Sequence, residues 1–360
     1  DKASNNLAII CKRFYAEVLL KEIGKLGGVS ETYVPADLTL AELVHNNLLH
    51  NDHFGLRVHD VSSTLPIMYW MPKMHKNPIG FRFIVASANC STKPLSKAVS
   101  SIFNLIYNQT EHFHQRAKFL SNYNKFWVLK DVSPITDKIR KVNSRNNDKS
   151  ISTFDFSTLY TKLPHSDLIE KLSEVIDLVF EGGKNNYIRI SKNGKAYWGK
   201  WTTKSPCFSK SAIKQSVQFL IENCYFTVGN CILRQSIGIP MGIDPAPFWA
   251  NLFLYVYESI YLASLVQTDR AKAHLFFLIK RFIDDLCAIN DEGEFGRVFR
   301  EIYPPELELK LEHSGQMATF LNLHIQILNG KFVYKLFDIR DAFPFSIVRM
   351  PHRESNIPES

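Results

Sequence analysis

Three acids stand where acids are costly. Asp155 lies near the end of the β-type run Ile151–Phe156, and Asp284 and Asp285 sit side by side inside Phe276–Ile289, whose only other charges are Lys280 and Arg281. A hairpin tip with two acids, beside a strand carrying a third, can bring carboxylates onto one point. Such a cluster repels itself unless cations fill it. Hard carboxylate oxygens select Mg²⁺, which keeps several waters and binds through few carboxylates plus substrate phosphates. Two such ions about 3.5–4 Å apart activate an attacking hydroxyl and stabilise the leaving oxygen of a phosphoryl displacement. An Asp-Asp pair alone reads equally well as a polar β-turn. The order of the neighbours raises its weight: Tyr160 five residues after Asp155, then a Gly/Pro loop, then Phe282-Ile283-Asp284-Asp285.

The elements that must position these acids alternate irregularly. Leu7–Cys11 reads as a short strand, followed by an amphipathic helix ending near Gly27-Gly28. A helix is expected over Leu40–Leu49, strands over Ile67–Trp70 and Phe81–Ala86 around a basic turn Lys73–Gly80, and a helix over Thr92–Tyr107. Ile151–Phe156 is a strand and His165–Phe180 a helix. Lys192-Asn193-Gly194, Gly229-Asn230 and Asn329-Gly330 mark hairpin turns. Phe248–Leu265 is a long buried helix, and the apolar runs Leu275–Phe282 and Leu286–Ile289 flank the paired aspartates. Recurring hairpins among helices predict an α+β fold with an antiparallel sheet.

Composition narrows the class. The 360 residues carry 43 Lys+Arg against 35 Asp+Glu, with 45% hydrophobic and 12% aromatic residues. That excludes a disordered polypeptide and allows two or three subdomains with sizeable cores. Six cysteines are spread singly (Cys11, Cys90, Cys207, Cys224, Cys231, Cys287) and read as reduced core thiols of an intracellular protein. Phe248–Val266 is interrupted by Asn251 and Glu258, so it reads as a core helix and no membrane partner is expected. His45, His50, His53 and His59 match no standard zinc spacing and read as solvated or core histidines. No signal peptide opens the chain, and a first residue Asp1 suggests a piece of a longer protein. Residues 61–145 contain 13 basic residues and three acids; residues 184–214 contain eight basic residues and no acid, interleaved with Tyr187, Tyr197, Trp198, Trp201 and Phe208. Both blocks suit contact with a polyanion.

The strings TFDFSTLYTKLPH (153–165), RQSIGIPMGIDPAPFWANLFL (234–254) and RFIDDL (281–286) resemble motifs A, B and C of reverse transcriptases. MYWMPKMHKNPIGFRFIVAS (68–87) resembles the preceding fingers motifs, and LELKLEH (307–313) and TFLNLHI (319–325) resemble motifs D and E. With DKASNN (1–6), the set is most similar to the reverse transcriptases of Penelope-like retroelements, relatives of telomerase. The resemblance implies a right-hand polymerase core: an N-terminal segment and fingers over 1–150, a palm over 151–313 with a basic insertion at 184–214, and a primer-grip hairpin around Leu321 and the start of a truncated thumb over 314–360. It implies RNA-directed DNA synthesis on an RNA template from a DNA primer with dNTPs, using two Mg²⁺ ions, with Mn²⁺ as a substitute.

Residue by residue, the resemblance assigns metal binding to Asp155, Asp284, Asp285 and the Phe156 carbonyl, and a general-acid role to Lys310. Lys73 and Arg82, with Lys76 as a helper, grip the triphosphate, and Tyr160 is a steric gate against the ribose 2′-hydroxyl. Gln235, Gly238, Pro240, Met241 and Gly242 form the motif B loop. Motif C carries Phe282 where many reverse transcriptases have Tyr. The insertion is expected to touch template or duplex, the thumb to begin near His352–Pro358, and a nuclear location follows from the resemblance. Many members add a GIY-YIG-type endonuclease, and no such segment lies within these residues. Two rivals stand beside this reading. One is an RNA-templated RNA polymerase of the same palm class, disfavoured by Tyr160, where those enzymes usually carry an acid. The other is an inactive, domesticated nucleic-acid-binding copy, disfavoured by the three intact acids.

Overall fold

The computed structural model describes residues 9–26, 30–56, 64–74, 76–121, 125–144, 150–181, 186–240, 242–338 and 343. Along the chain run α1 (Lys12–Glu22), β1 (Tyr33–Pro35), α2 (Leu40–His53), β2 (Ile67–Lys73), β3 (Gly80–Ala86), α3 (Lys93–Ser121) and α4 (Ser133–Asn143). The middle of the chain forms β4 (Ile151–Phe156), α5 (His165–Glu181), β5 (Tyr187–Ile190), β6 (Ala196–Gly199), β7 (Cys207–Ser209), α6 (Lys210–Glu222), β8 (Tyr225–Val228) and β9 (Cys231–Gln235). Then come α7 (Ala246–Thr268), α8 (Arg270–Leu275), a 3₁₀ turn (Phe276–Leu278), β10 (Lys280–Phe282), β11 (Asp285–Ile289), α9 (Glu294–Ile302), β12 (Leu309–Gly315), β13 (Met317–Phe320), β14 (Leu323–Leu328) and β15 (Lys331–Leu336).

The central sheet has the order β10-β11-β4-β12 and is antiparallel throughout. β4 sits inside it, with Ile151 to Phe154 and Phe156 buried, which explains its near-continuous apolar and β-branched run. Behind the sheet, α3, α5, α6 and α7 enclose the main core. α7 is apolar on all sides and accordingly buried; Trp249, Leu252 and Phe253 have no exposed surface. It packs Trp249 edge-on to Phe103 of α3 at 5.9 Å, and the Tyr257 hydroxyl donates to Asp167 of α5 at 2.8–2.9 Å.

A second, five-stranded sheet has the order β1-β9-β8-β2-β3. Its two hairpins come from distant parts of the chain: β2–β3 precedes β4, whereas β8–β9 follows α6, and the two meet through a short parallel pairing of Ile67 with Thr227. β13, β14 and β15 form a third sheet that packs against α4, where the Asn143 side chain both donates to and accepts from the Phe332 backbone at 2.7 Å. The basic block folds as a small sheet of its own, β6-β5-β7.

Most expected elements form with shifted ends. α2 runs four residues past Leu49 and starts on a reciprocal Thr39–Glu42 capping box. α3 continues from Tyr107 to Ser121 because its polar second half still buries His114 against Tyr255. The strand expected at Leu7–Cys11 does not form over Ile9–Cys11: Ile9 is wholly exposed, and an apolar run with nothing to pack on has no reason to pair. Leu7, Gly27, Gly28, His59 and the 352–358 segment lie outside the described residues. The cysteines are all free, but only Cys90, Cys224 and Cys287 are buried; Cys11 is exposed and Cys207 and Cys231 are half-buried, so the core reading holds for three. Among the described residues no helix is long and apolar enough to cross a membrane.

The least expected feature of the core is an ion pair. Arg281 and Glu258 are both fully buried. The Arg281 Nε–H donates to Glu258 Oε1 at 2.6 Å and Nη2 to Oε2 at 3.2 Å; Nη2 also reaches the Asn251 carbonyl at 3.0 Å. Nη1 donates to Asn251 Oδ1 and to the Ile283 carbonyl, both at 2.9 Å. All five guanidinium donors are thereby used, and the Tyr303 hydroxyl adds a bond to Glu258 at 2.9 Å. Removing one partner strands a buried charge, whereas removing both does not. Arg281→Met should therefore cost about 3–5 kcal/mol in urea unfolding followed by tryptophan fluorescence. The double variant Arg281→Met/Glu258→Met should recover most of that loss; a double variant no more stable than the single one would contradict this account of the pair.

Candidate active site

Strand register builds the site. Asp155 of β4 lies directly opposite Asp285 of β11 on one side and opposite Lys310 of β12 on the other. Directly opposed residues project from the same face of a sheet, so the row reads Asp285–Asp155–Lys310. The two-residue turn Ile283-Asp284 joins β10 to β11, with Phe282 and Asp285 closing it. The Phe156 N–H donates to the Asp284 carbonyl at 3.0 Å, tying the turn to the end of β4. The Phe156 ring itself is buried edge-on to Tyr303.

Ile283 takes φ 54°. Tight hairpins want Asn or Gly there, and a β-branched residue in the left-handed region costs on the order of 1–3 kcal/mol. The turn is held in that shape from beneath by the Arg281–Ile283 carbonyl bond. Arg281 and Glu258 thus support the turn that carries Asp284, a role that sequence reading left unassigned. A signal was present for Glu258, the only charge in the apolar stretch Phe248–Leu265, whereas Arg281 stands beside Lys280 and close to the paired acids and carries no such mark.

Electrostatics places the remaining candidates around the acids. Burial raises the Asp284 carboxyl above the ordinary carboxylate range; the Asp155 charge pushes it the same way, and Arg82 and Arg281 pull it back. Lys73 is lowered, chiefly by burial and then by Arg82 and Lys76, against the attraction of Asp155 and Asp284. The β2–β3 hairpin therefore carries Lys73 to within electrostatic reach of both acids. Arg82, across from Met71 in that hairpin, is exposed. Tyr160 is half-buried against the main core, and its hydroxyl is raised by burial first and by Asp284 second.

The loop after β9 is shaped by backbone contact. Gly238 has φ 87° and Gly242 φ 84°. A Cβ on Gly238 would overlap the Tyr160 carbonyl, and one on Gly242 the Val85 carbonyl, so no other residue fits at either point. The Gly238 N–H donates to the Leu163 carbonyl at 2.7 Å, and His165 Nε2–H donates to the Gly238 carbonyl at 2.9 Å. Gln235 is fully buried, and its amide donates to the carbonyls of Ile237 and Ile239 at 2.9 and 3.1 Å, so it supports the loop from inside. Asp244 fastens the loop to α3 through Lys93 at 2.8 Å and Ser96 at 2.7 Å, contacts that no sequence motif announced. Pro240 lies in this loop, and Met241 falls outside the described residues.

Among the described residues no three or more His, Cys, Asp or Glu side chains, the three acids of the turn and β4 included, come together as a group that could hold a metal ion. The histidines at 45, 50 and 53 make no such group, and His50 instead stacks on Phe219 at 3.6 Å. What the acids offer is narrower: two mutually repelling carboxylates, Asp155 and Asp284, with the charges of Lys73, Arg82 and Arg281 within electrostatic reach. That donor set fits Mg²⁺, which takes its remaining ligands from water and phosphate.

No protein-family model matches the sequence, and no curated protein does. Solved structures do. Telomerase from Candida albicans, in complex with the TWJ fragment of telomeric RNA, superposes with a TM-score of 0.53 at 12% identity, over 87% of this chain and 55% of that one. Apo telomerase from Candida tropicalis gives 0.53 at 14% identity over 84% and 56%, and its form truncated from the C-terminal domain gives 0.54 at 12% over 89% and 59%. The chain thus spans little more than half the length of those it resembles. Its fold is the α+β right-hand polymerase core.

Proposed function

We propose that this chain is the fingers-and-palm core of an RNA-directed DNA polymerase from a retroelement of the Penelope-like group. It extends a primer 3′-hydroxyl with dNTPs on an RNA template, in the nucleus. The observation that carries the reading is the register: Asp155 opposite Asp285, with the Asp284 turn bonded to Phe156, below a hairpin that brings Lys73 toward the same acids.

Asp155 and Asp284, with the Phe156 carbonyl and Asp285 beside them, are the residues to hold Mg²⁺ or Mn²⁺. The bound ions supply Lewis acidity that activates the 3′-hydroxyl and neutralises charge on the departing pyrophosphate. Lys73 and Arg82 orient the triphosphate, Arg by paired hydrogen bonds and Lys as a point charge. Lys310, opposite Asp155 in the strand register, is the residue to hand a proton to the leaving pyrophosphate. Tyr160, packed against the core within electrostatic reach of Asp284, is the residue to fill the space a 2′-hydroxyl needs.

Primer extension on poly(rA)/oligo(dT) with Mg²⁺ tests the assignment. The wild type should incorporate dTTP and refuse UTP, and Asp284→Ala should lose at least ~10²–10³-fold in rate. Equal activity in Asp284→Ala, or a preference for UTP, would remove the reverse-transcriptase reading. Tyr160→Ala should narrow the dTTP/UTP preference by about tenfold or more while leaving dTTP incorporation measurable; an unchanged ratio would assign the gate elsewhere.

A third prediction follows from the charge balance. Asp284 has a raised carboxyl, so its charged form disfavours the folded state at neutral pH and the cost disappears as pH falls and the group protonates. In metal-free protein at pH 7, Asp284→Asn should raise the melting midpoint by roughly 1–3 °C while abolishing extension. A lower midpoint would show that Asp284 is a structural carboxylate.

A further inference from the structure

The small sheet β6-β5-β7 has an inner face that belongs to the main core and an outer face that the core does not use. Trp198, Ile188 and Phe208 form one cross-strand row, and Ile188 and Phe208 are buried. The neighbouring rows, Tyr197–Arg189–Cys207 and Gly199–Tyr187–Ser209, point the other way. On that side the Arg189 guanidinium lies over the Tyr197 ring at 5.4 Å, with its Nε–H donating to Ser205 Oγ at 3.2 Å. Gly199 makes room for this arrangement, since a Cβ there would stand 2.7 Å from Arg189 Cδ. Tyr197 is 39% exposed and Trp201, just beyond β6, 64% exposed.

The rim is cationic. Lys192 and Lys195 are exposed in the β5–β6 hairpin, and Lys200 and Lys204 in the β6–β7 connection. No acid occurs between 186 and 214. Lys210 and Lys214 are neutralised by Asp177 at 3.1 and 2.6 Å, whereas none of the four rim lysines forms an ion pair among the described residues. The platform is fixed in place: the Ala196 N–H donates to Ser101 Oγ at 2.8 Å, Trp198 packs edge-on to Phe180 at 4.8 Å and Phe208 stacks on Phe54 at 4.9 Å.

We propose that this outer face binds single-stranded nucleic acid, stacking unpaired bases on Tyr197, Arg189 and Trp201 while the rim lysines follow the phosphates. A rigid sheet presenting aromatic faces and an arginine plane suits bases whose own faces are free. A duplex keeps those faces stacked within itself and would use only the lysines. The inference deepens the polymerase reading by giving the strand a holding surface formed by elements other than those that carry the acids.

Fluorescence anisotropy with a labelled 16-nucleotide oligo(dT), the matching oligo(rU) and a blunt duplex of equal length tests it, with the full chain and Asp284→Ala as a control. Tyr197→Ala/Trp201→Ala should weaken both single strands by about tenfold or more and the duplex by much less. Replacing Lys192, Lys195, Lys200 and Lys204 by Gln should reduce the slope of log Kd against log salt by up to about 3. Unaltered melting midpoints for these exposed substitutions show that the fold is kept. Single-strand binding unchanged in both variants, or a duplex weakened equally, overturns the proposal. The two readings fail separately: sheet variants that bind as wild type in a protein that extends primers sink only the platform. Loss of strand binding in a protein that never extends a primer sinks only the polymerase assignment.

Discussion

The site depends on keeping like charges together. Asp155 and Asp284 repel each other, and burial deepens the cost because water no longer screens them. A free hairpin would relieve this by turning its tip away. Two attachments prevent it: the pairing of β11 with β4, which sets Asp285 against Asp155, and the Arg281 guanidinium, which grips the Ile283 carbonyl from below. The left-handed Ile283 and the mutually repelling acids are both unfavourable when considered alone, and both persist because the surrounding core over-determines them. The Arg281–Glu258 pair is thus better understood as a fixture for the turn than as a source of net stability, a distinction that the energetics of buried ion pairs supports.

Much of this geometry was legible in the sequence. The acid at the end of Ile151–Phe156, the paired acids between apolar runs and the turn signals Lys192–Gly194, Gly229-Asn230 and Asn329-Gly330 all depend on local chemistry, and all occupy the expected elements. What was not legible depends on contacts between distant segments. α4 interleaves its buried Ile135, Ile139 and Val142 with charges and polar residues, and its partner is a sheet nearly two hundred residues away. Gln235 carries a motif position, yet its side chain turns inward to hold loop carbonyls. Asp244 has no local signal at all, because its partners lie on α3. Ile9–Cys11 shows the converse case, in which β-propensity without a neighbouring strand produced nothing.

Chain order and spatial order also diverge in the five-stranded sheet. Its β8–β9 hairpin is supplied from the far side of the basic block, so the sheet joins segments separated by α5 and α6 in the chain. The block between them returns the chain to within reach of β2, and its inner face is spent on that packing through Phe54 and Phe208. One short sheet therefore presents two surfaces, and the alternation of a strand is what separates them.

The contact between Gly242 and Val85 has a mechanical meaning. With no side chain between them, the loop backbone rests directly on β3, and the Ser87 hydroxyl bonds the Gly242 carbonyl while Lys93 and Ser96 grip Asp244. Such a joint has no slack. The hairpin that carries Arg82 and the loop against Tyr160 are thus joined backbone to backbone, and any side chain inserted at Gly242 would have to push them apart.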